Sequence, residues 1–123
     1  MDKKRILLVE DDEDVSDFLK PFLADNDYEM DVAIDGRSGL KKLGEFQPDL
    51  VILDLMMPGV DGFEFLKSLQ AKPELKTAKI LVVTAVQKVG GAEEALRLGA
   101  DGYLMKPVDN DLLLEKIKDL LSS

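Results

Sequence analysis

The chain contains no cysteine and no histidine, and its sixteen lysines and arginines are outnumbered by twenty-five aspartates and glutamates, a net charge of -9. Without cysteine there are no disulfides, thiolate metal sites or cysteine nucleophiles, which agrees weakly with a cytoplasmic location. Without histidine there are no imidazole metal ligands, no Ser/His dyad and no phosphohistidine chemistry within the chain. The negative charge opposes direct binding to nucleic acid and to anionic membranes. No apolar run approaches the roughly 20 residues that cross a bilayer, and the start Met1-Asp2-Lys3-Lys4-Arg5 leads into only four apolar residues before the acids begin, so no signal peptide is expected.

What is present fits one cytoplasmic globular domain spanning 1–123, with 46% hydrophobic and 33% charged residues. Short apolar runs at Ile6–Val9, Met30–Ile34, Leu50–Leu53, Ile80–Val83 and Tyr103–Met105 read as strands buried on both faces of a parallel sheet. Helical spacing fills the gaps, strongly over Val15–Leu23, Phe63–Leu69 and Leu112–Leu121 and more weakly over Ser38–Leu43 and Ala92–Leu98. The alternation predicts an α/β fold, a three-layer (βα)5 sandwich with right-handed crossovers. Gly36, Pro48, Pro58-Gly59, Pro73, Gly90-Gly91, Gly99 and Pro107 punctuate it. Pro21 falls inside a helical pattern, where it removes one backbone bond and is expected to bend the helix, at up to about 3 kcal/mol. The run Val86–Gly91 has the glycine content of a mobile loop before the fourth helix.

Four of these runs lead into polar residues: Asp11, Asp54, Thr84 and Lys106. Open parallel sheets place their sites where the carboxyl ends of strands converge. Within Glu10-Asp11-Asp12-Glu13-Asp14, the last three suit capping of the helix that follows, whereas Glu10 and Asp11 stand at the sheet's end. Two carboxylates about 5 Å apart repel by roughly 3 kcal/mol at an effective dielectric near 20, so Asp54 beside them calls for a cation or for a proton on one carboxylate. Oxygen-only ligands favour Mg²⁺, with Mn²⁺ as a substitute, over zinc. A carboxylate nucleophile, a metal, an ammonium and a hydroxyl match phosphoryl transfer, which needs positioning and charge neutralisation more than proton chemistry.

Ile6-Leu7-Leu8-Val9-Glu10-Asp11, Pro48 through Asp54 to Pro58-Gly59-Val60-Asp61-Gly62, Thr84-Ala85, and Gly99-Ala100-Asp101-Gly102-Tyr103-Leu104-Met105-Lys106-Pro107 together resemble the receiver domain of two-component response regulators, over essentially the whole chain. The resemblance implies a doubly wound, flavodoxin-like five-stranded sheet in the order 2-1-3-4-5. It implies Asp54 as phosphoacceptor, with Asp11 a direct Mg²⁺ ligand, Glu10 acting through metal-bound water and the Met56 carbonyl a third protein ligand. Lys106 would pair with the phosphoryl oxygens, Thr84 would turn toward them, Tyr103 would follow, and Lys106-Pro107 would be cis. Such a domain is a signalling phosphoacceptor rather than an enzyme, although it assists its own phosphotransfer and autodephosphorylation. Its partners would be a sensor histidine kinase or histidine phosphotransfer domain, then a downstream target or an output domain, contacted through the fourth helix, last strand and last helix. Met56 and Val86 flank the phosphorylation site in that family; both are apolar here, so a long-lived phosphoryl group is expected.

Competing readings fare worse. A haloacid-dehalogenase-type enzyme needs a second Asp where Met56 stands, a flavin carrier would not place consecutive acids in its phosphate loop, and no Walker motif is present. A receiver working as a phosphorylation-independent interaction module remains the alternative, and the intact Asp11, Asp54, Thr84 and Lys106 argue against it.

Overall fold

The computed structural model describes residues 3–56, 61–85 and 90–122. Five strands, β1 (Arg5–Val9), β2 (Glu29–Ala33), β3 (Leu50–Leu53), β4 (Lys79–Thr84) and β5 (Gly102–Met105), alternate with helices α1 (Glu13–Asp25), α2 (Gly36–Phe46), α3 (Gly62–Ala71), α4 (Gly91–Arg97) and α5 (Asn110–Ser122). All neighbouring strands are parallel, and their order is β2-β1-β3-β4-β5. The expected flavodoxin-like topology is therefore present.

Each face of the sheet has its own core. Leu7, Val9, Val51, Leu53, Ile80 and Val82 point toward α2, α3 and α4. Their alternates Ile6, Leu8, Leu50, Ile52, Leu81 and Val83 point toward α1 and α5. That two-residue alternation, with both sides apolar, is why β1, β3 and β4 read as continuous hydrophobic runs. β2 and β5 differ from expectation, since most of their residues are only partly buried. They are the edges of the sheet, and their helices cover them incompletely.

Local chemistry sets the helix starts. Asp12, Asp35 and Asp61 cap α1, α2 and α3 by accepting from Asp14, Ser38 and Glu64 N–H groups at 2.8–2.9 Å. The capping role read for Asp12 to Asp14 thus holds, with Glu13 and Asp14 in the first turn. α1 runs unbroken through Pro21. Pro21 is exposed while Leu19 and Leu23 on either side are buried, so packing of the apolar face offsets the backbone bond that proline forgoes. Gly90 precedes α4 with φ 77°, a left-handed conformation that favours glycine. Most of the segment read as a mobile loop lies outside the described residues.

Candidate functional site

The backbone ladder continues past the strands and places the polar residues. Glu10 N–H donates to the Ala33 carbonyl (2.9 Å), Asp54 N–H to Val9 (3.1 Å) and Lys106 N–H to Thr84 (2.8 Å). Each residue that follows β1, β3 or β5 is thereby fixed to the end of the adjacent strand, at the carboxyl end of the sheet. The Lys106-Pro107 peptide is cis, as the resemblance implied.

Asp54 is 7% exposed and Glu10 2%. Asp54 Oδ1 accepts from the Thr84 hydroxyl at 2.8 Å and from Met56 N–H at 3.1 Å, and Oδ2 accepts from Lys106 Nζ at 3.2 Å. Lys106 Nζ lies closer to Glu10 Oε1, at 2.7 Å. The charge conflict foreseen among the carboxylates is therefore met in part by a lysine that bridges both buried acids. A raised proton affinity at Glu10 meets another part. Burial pushes the Glu10 carboxyl up to about 7, the adjacent Asp54 adds to the rise, and Lys106 opposes it. Burial also pushes Asp54 upward, but donation from Met56 N–H, from Glu10 and from Thr84, with the charge of Lys106, holds it below the ordinary carboxylate value. Of the two buried acids, Asp54 is the one kept ionised. Lys106 loses some charge stability to burial, yet Glu10 and Asp54 together hold its ammonium above the ordinary range.

Glu10, Asp11 and Asp54 each bring a carboxylate oxygen within 4.8 Å of the others, with Asp11 exposed. Three carboxylates against the Lys106 ammonium leave an excess of two negative charges when all are ionised, and the donors are all hard oxygens. That set fits a Mg²⁺-like cation. Met56 directs its N–H into the site, and its side chain is 63% exposed.

Tyr103 sits two residue pairs back from Thr84. The pairs Val82↔Tyr103 and Thr84↔Met105 put Tyr103 on the same face as Thr84, partly buried against the core beneath α3 and α4. Burial and the nearby Glu93 carboxylate raise its phenol. Val86 lies outside the described residues.

Two features were not read from the sequence. First, the Thr84 hydroxyl donates to the Asp54 carboxylate itself, a contact that depends on the register of β3 against β4. Second, a groove of about 590 Å³ opens beside Lys106, lined by Val15, Phe18, Leu19, Val83, Pro107 and Val108 among others. The half-exposed Phe18, an apolar residue in the helical pattern of Val15–Leu23 that the core does not cover, was the available signal.

A family model described as response regulator receiver domain matches residues 6–118. Response regulator MprA of Mycolicibacterium vanbaalenii is 39% identical over 117 residues, which are 95% of this chain and 50% of that protein. The DNA-binding dual master transcriptional regulator RpaA of Synechocystis is 35% identical over 95% of this chain and 48% of its own length. The chain thus spans about half the length of these relatives. Among solved structures, a CheY-like response regulator receiver domain protein from Methanospirillum hungatei superposes with a TM-score of 0.88 at 35% identity, over 98% of this chain and 94% of that one.

Proposed function

Because the chain belongs to the response regulator receiver domain family, we propose that it is the phosphoacceptor switch of a two-component phosphorelay, with Asp54 taking a phosphoryl group from a phosphohistidine. The observation that carries this reading is the state of Asp54: a nearly buried carboxylate, kept ionised, with Thr84, Lys106 and the Met56 N–H as donors around it.

In the transfer, a carboxylate oxygen of Asp54 forms the new P–O bond as the donor's P–N bond breaks, and the leaving imidazole retains a proton. Lys106 neutralises charge on the phosphoryl oxygens, and the Thr84 hydroxyl shifts its hydrogen bond from Asp54 to one of them. Glu10, Asp11, Asp54 and the Met56 carbonyl would hold Mg²⁺, Glu10 through water, and the ion supplies further charge neutralisation there. The chain has no histidine, so the donor is a separate sensor histidine kinase or phosphotransfer domain. The apolar groove beside Lys106 gives such a donor a surface that reaches the site.

A dianionic phosphoryl group draws Thr84 toward it and lets Tyr103 move inward, a local charge change that biases a two-state surface. The exposed Leu96 on α4, Met105 at the end of β5 and Leu112 on α5 support the α4–β5–α5 surface as the one read by a target or output domain. The test is incorporation of acid-labile phosphate from acetyl phosphate with Mg²⁺. Wild type is expected to take up close to one equivalent and Asp54→Asn none; uptake by the variant would overturn the assignment.

A further inference from the structure

The edge of a sheet exposes backbone groups that can pair with another strand, and proteins guard such edges. β2 is one edge here. Glu29 N–H donates to the Lys4 carbonyl and the Ala33 carbonyl accepts from Glu10 N–H, so Glu29, Asp31 and Ala33 direct their backbone toward β1. By alternation Met30 and Val32 direct theirs outward. At Val32 both outward groups are occupied. Its N–H donates to the Asp31 carboxylate Oδ1 (2.8 Å) and its carbonyl accepts from Lys42 Nζ (2.8 Å). The two side chains also join each other, Lys42 Nζ to Asp31 Oδ1 at 2.8 Å. Asp31 comes from the strand and Lys42 from α2, and each is about one third exposed.

We infer that the Asp31–Lys42 pair is an edge latch that withholds β2 from strand pairing with a second copy of this chain. An exposed ion pair contributes only about 0–1 kcal/mol to stability, so guarding the edge accounts for this geometry better than stabilisation does. Occupying both Val32 groups closes one of the two outward-facing residues of a five-residue edge, and an added strand would have to displace both side chains to run through. The occupant of an opened edge is a second copy because every molecule in solution carries the same strand, which places two equal edges opposite each other about a two-fold axis.

The test compares the full chain with Lys42→Met, which keeps the aliphatic stem, and with Asp31→Ala/Lys42→Met, which frees both backbone groups. Far-ultraviolet circular dichroism and phosphate uptake at Asp54 are expected to match wild type, since neither residue touches the site. At low protein concentration the Val32 amide of the double variant should exchange with solvent about tenfold faster than in wild type. At high concentration sedimentation velocity should show dimers of the double variant, a smaller dimer fraction for Lys42→Met and none for wild type, with exchange at Val32 slowed again in the double variant. A double variant that stays monomeric, or associates with Val32 still open to exchange, would overturn the latch. Should the double variant fail to fold, Lys42→Met carries the same test, with a smaller shift toward dimer expected and an unchanged monomer overturning the proposal.

Discussion

At the scale of single residues, the site is a balance among Glu10, Asp54 and Lys106, and pH tips it through Glu10. The Glu10 carboxyl is raised from 4.5 to about 7 in the fold, so the folded chain binds more protons than the unfolded chain between those values. The contribution of this group to stability is full below about pH 4.5 and is lost as the pH rises through about 7. A cation among the same carboxylates competes with that proton. Saturating MgCl₂ should therefore raise the melting temperature more at about pH 8 than at about pH 5.5. Equal shifts at the two values would show that Glu10 is already ionised without the metal. In the proposed switch, Met56 would act on a later step, the loss of the phosphoryl group. Its exposed thioether beside Asp54 offers an attacking water only a weak acceptor, whereas an amide there would orient that water by hydrogen bonding. Met56→Asn is expected to shorten the acyl-phosphate half-life several-fold, a change of about 1 kcal/mol in barrier. A longer half-life in the variant, measured by loss of radiolabelled phosphate, would contradict this.

Elements bring these residues together, and the start of α3 lies hard against the backbone that follows β3. A Cβ on Gly62 would stand 2.5 Å from the Asp54 carbonyl oxygen and 2.5 Å from Leu55 Cα, both backbone atoms that cannot step aside. Gly62→Ala is expected to cost about 2–4 kcal/mol in urea unfolding and to slow phosphorylation, because the displaced backbone carries Asp54. Gly44 in α2 meets nothing within 4 Å, so Gly44→Ala should instead add about 0.5–1 kcal/mol. If both changes had the same sign, the steric account would fail. The strands were legible from the chain because β1, β3 and β4 are apolar on both faces, and the polar residues that end them stood out against those runs. Asp54 and Thr84 could be grouped on that basis, with Lys106 after the shorter run of β5, and the hydrogen bonds now join them. Other contacts were not legible, since no local pattern encodes them. Lys106 meets Glu10 across 96 positions and Asp31 meets Lys42 across 11, and both depend on strand register and helix placement. The partial exposure of β2 and β5 likewise follows from their places at the edges, which only the strand order decides.

Across the whole molecule, charge is gathered at the end of the sheet that carries the site. Among the described residues, Glu10, Asp11, Asp12, Asp35, Asp54, Asp61 and Asp109 all lie in segments that follow β1, β2, β3 or β5, and Lys106 bonds to two of them. An approaching donor meets that field before it meets Asp54. A small anion such as acetyl phosphate is repelled, whereas a protein donor with a basic face around its phosphohistidine is drawn in. Salt should separate the two. Raising KCl shortens the screening distance from about 30 Å at 0.01 M to about 8 Å at 0.15 M. With MgCl₂ held saturating, the phosphorylation rate with acetyl phosphate should rise several-fold over that range, while the rate with a basic-faced phosphohistidine donor should fall. Charge reversal at the rim but outside the metal set, Asp12→Lys with Asp109→Lys, should flatten both dependences. A rate with acetyl phosphate that falls with salt in wild type would mean that the acidic rim does not govern access, and donor selection would then rest on the apolar groove lined by Phe18 and Val108.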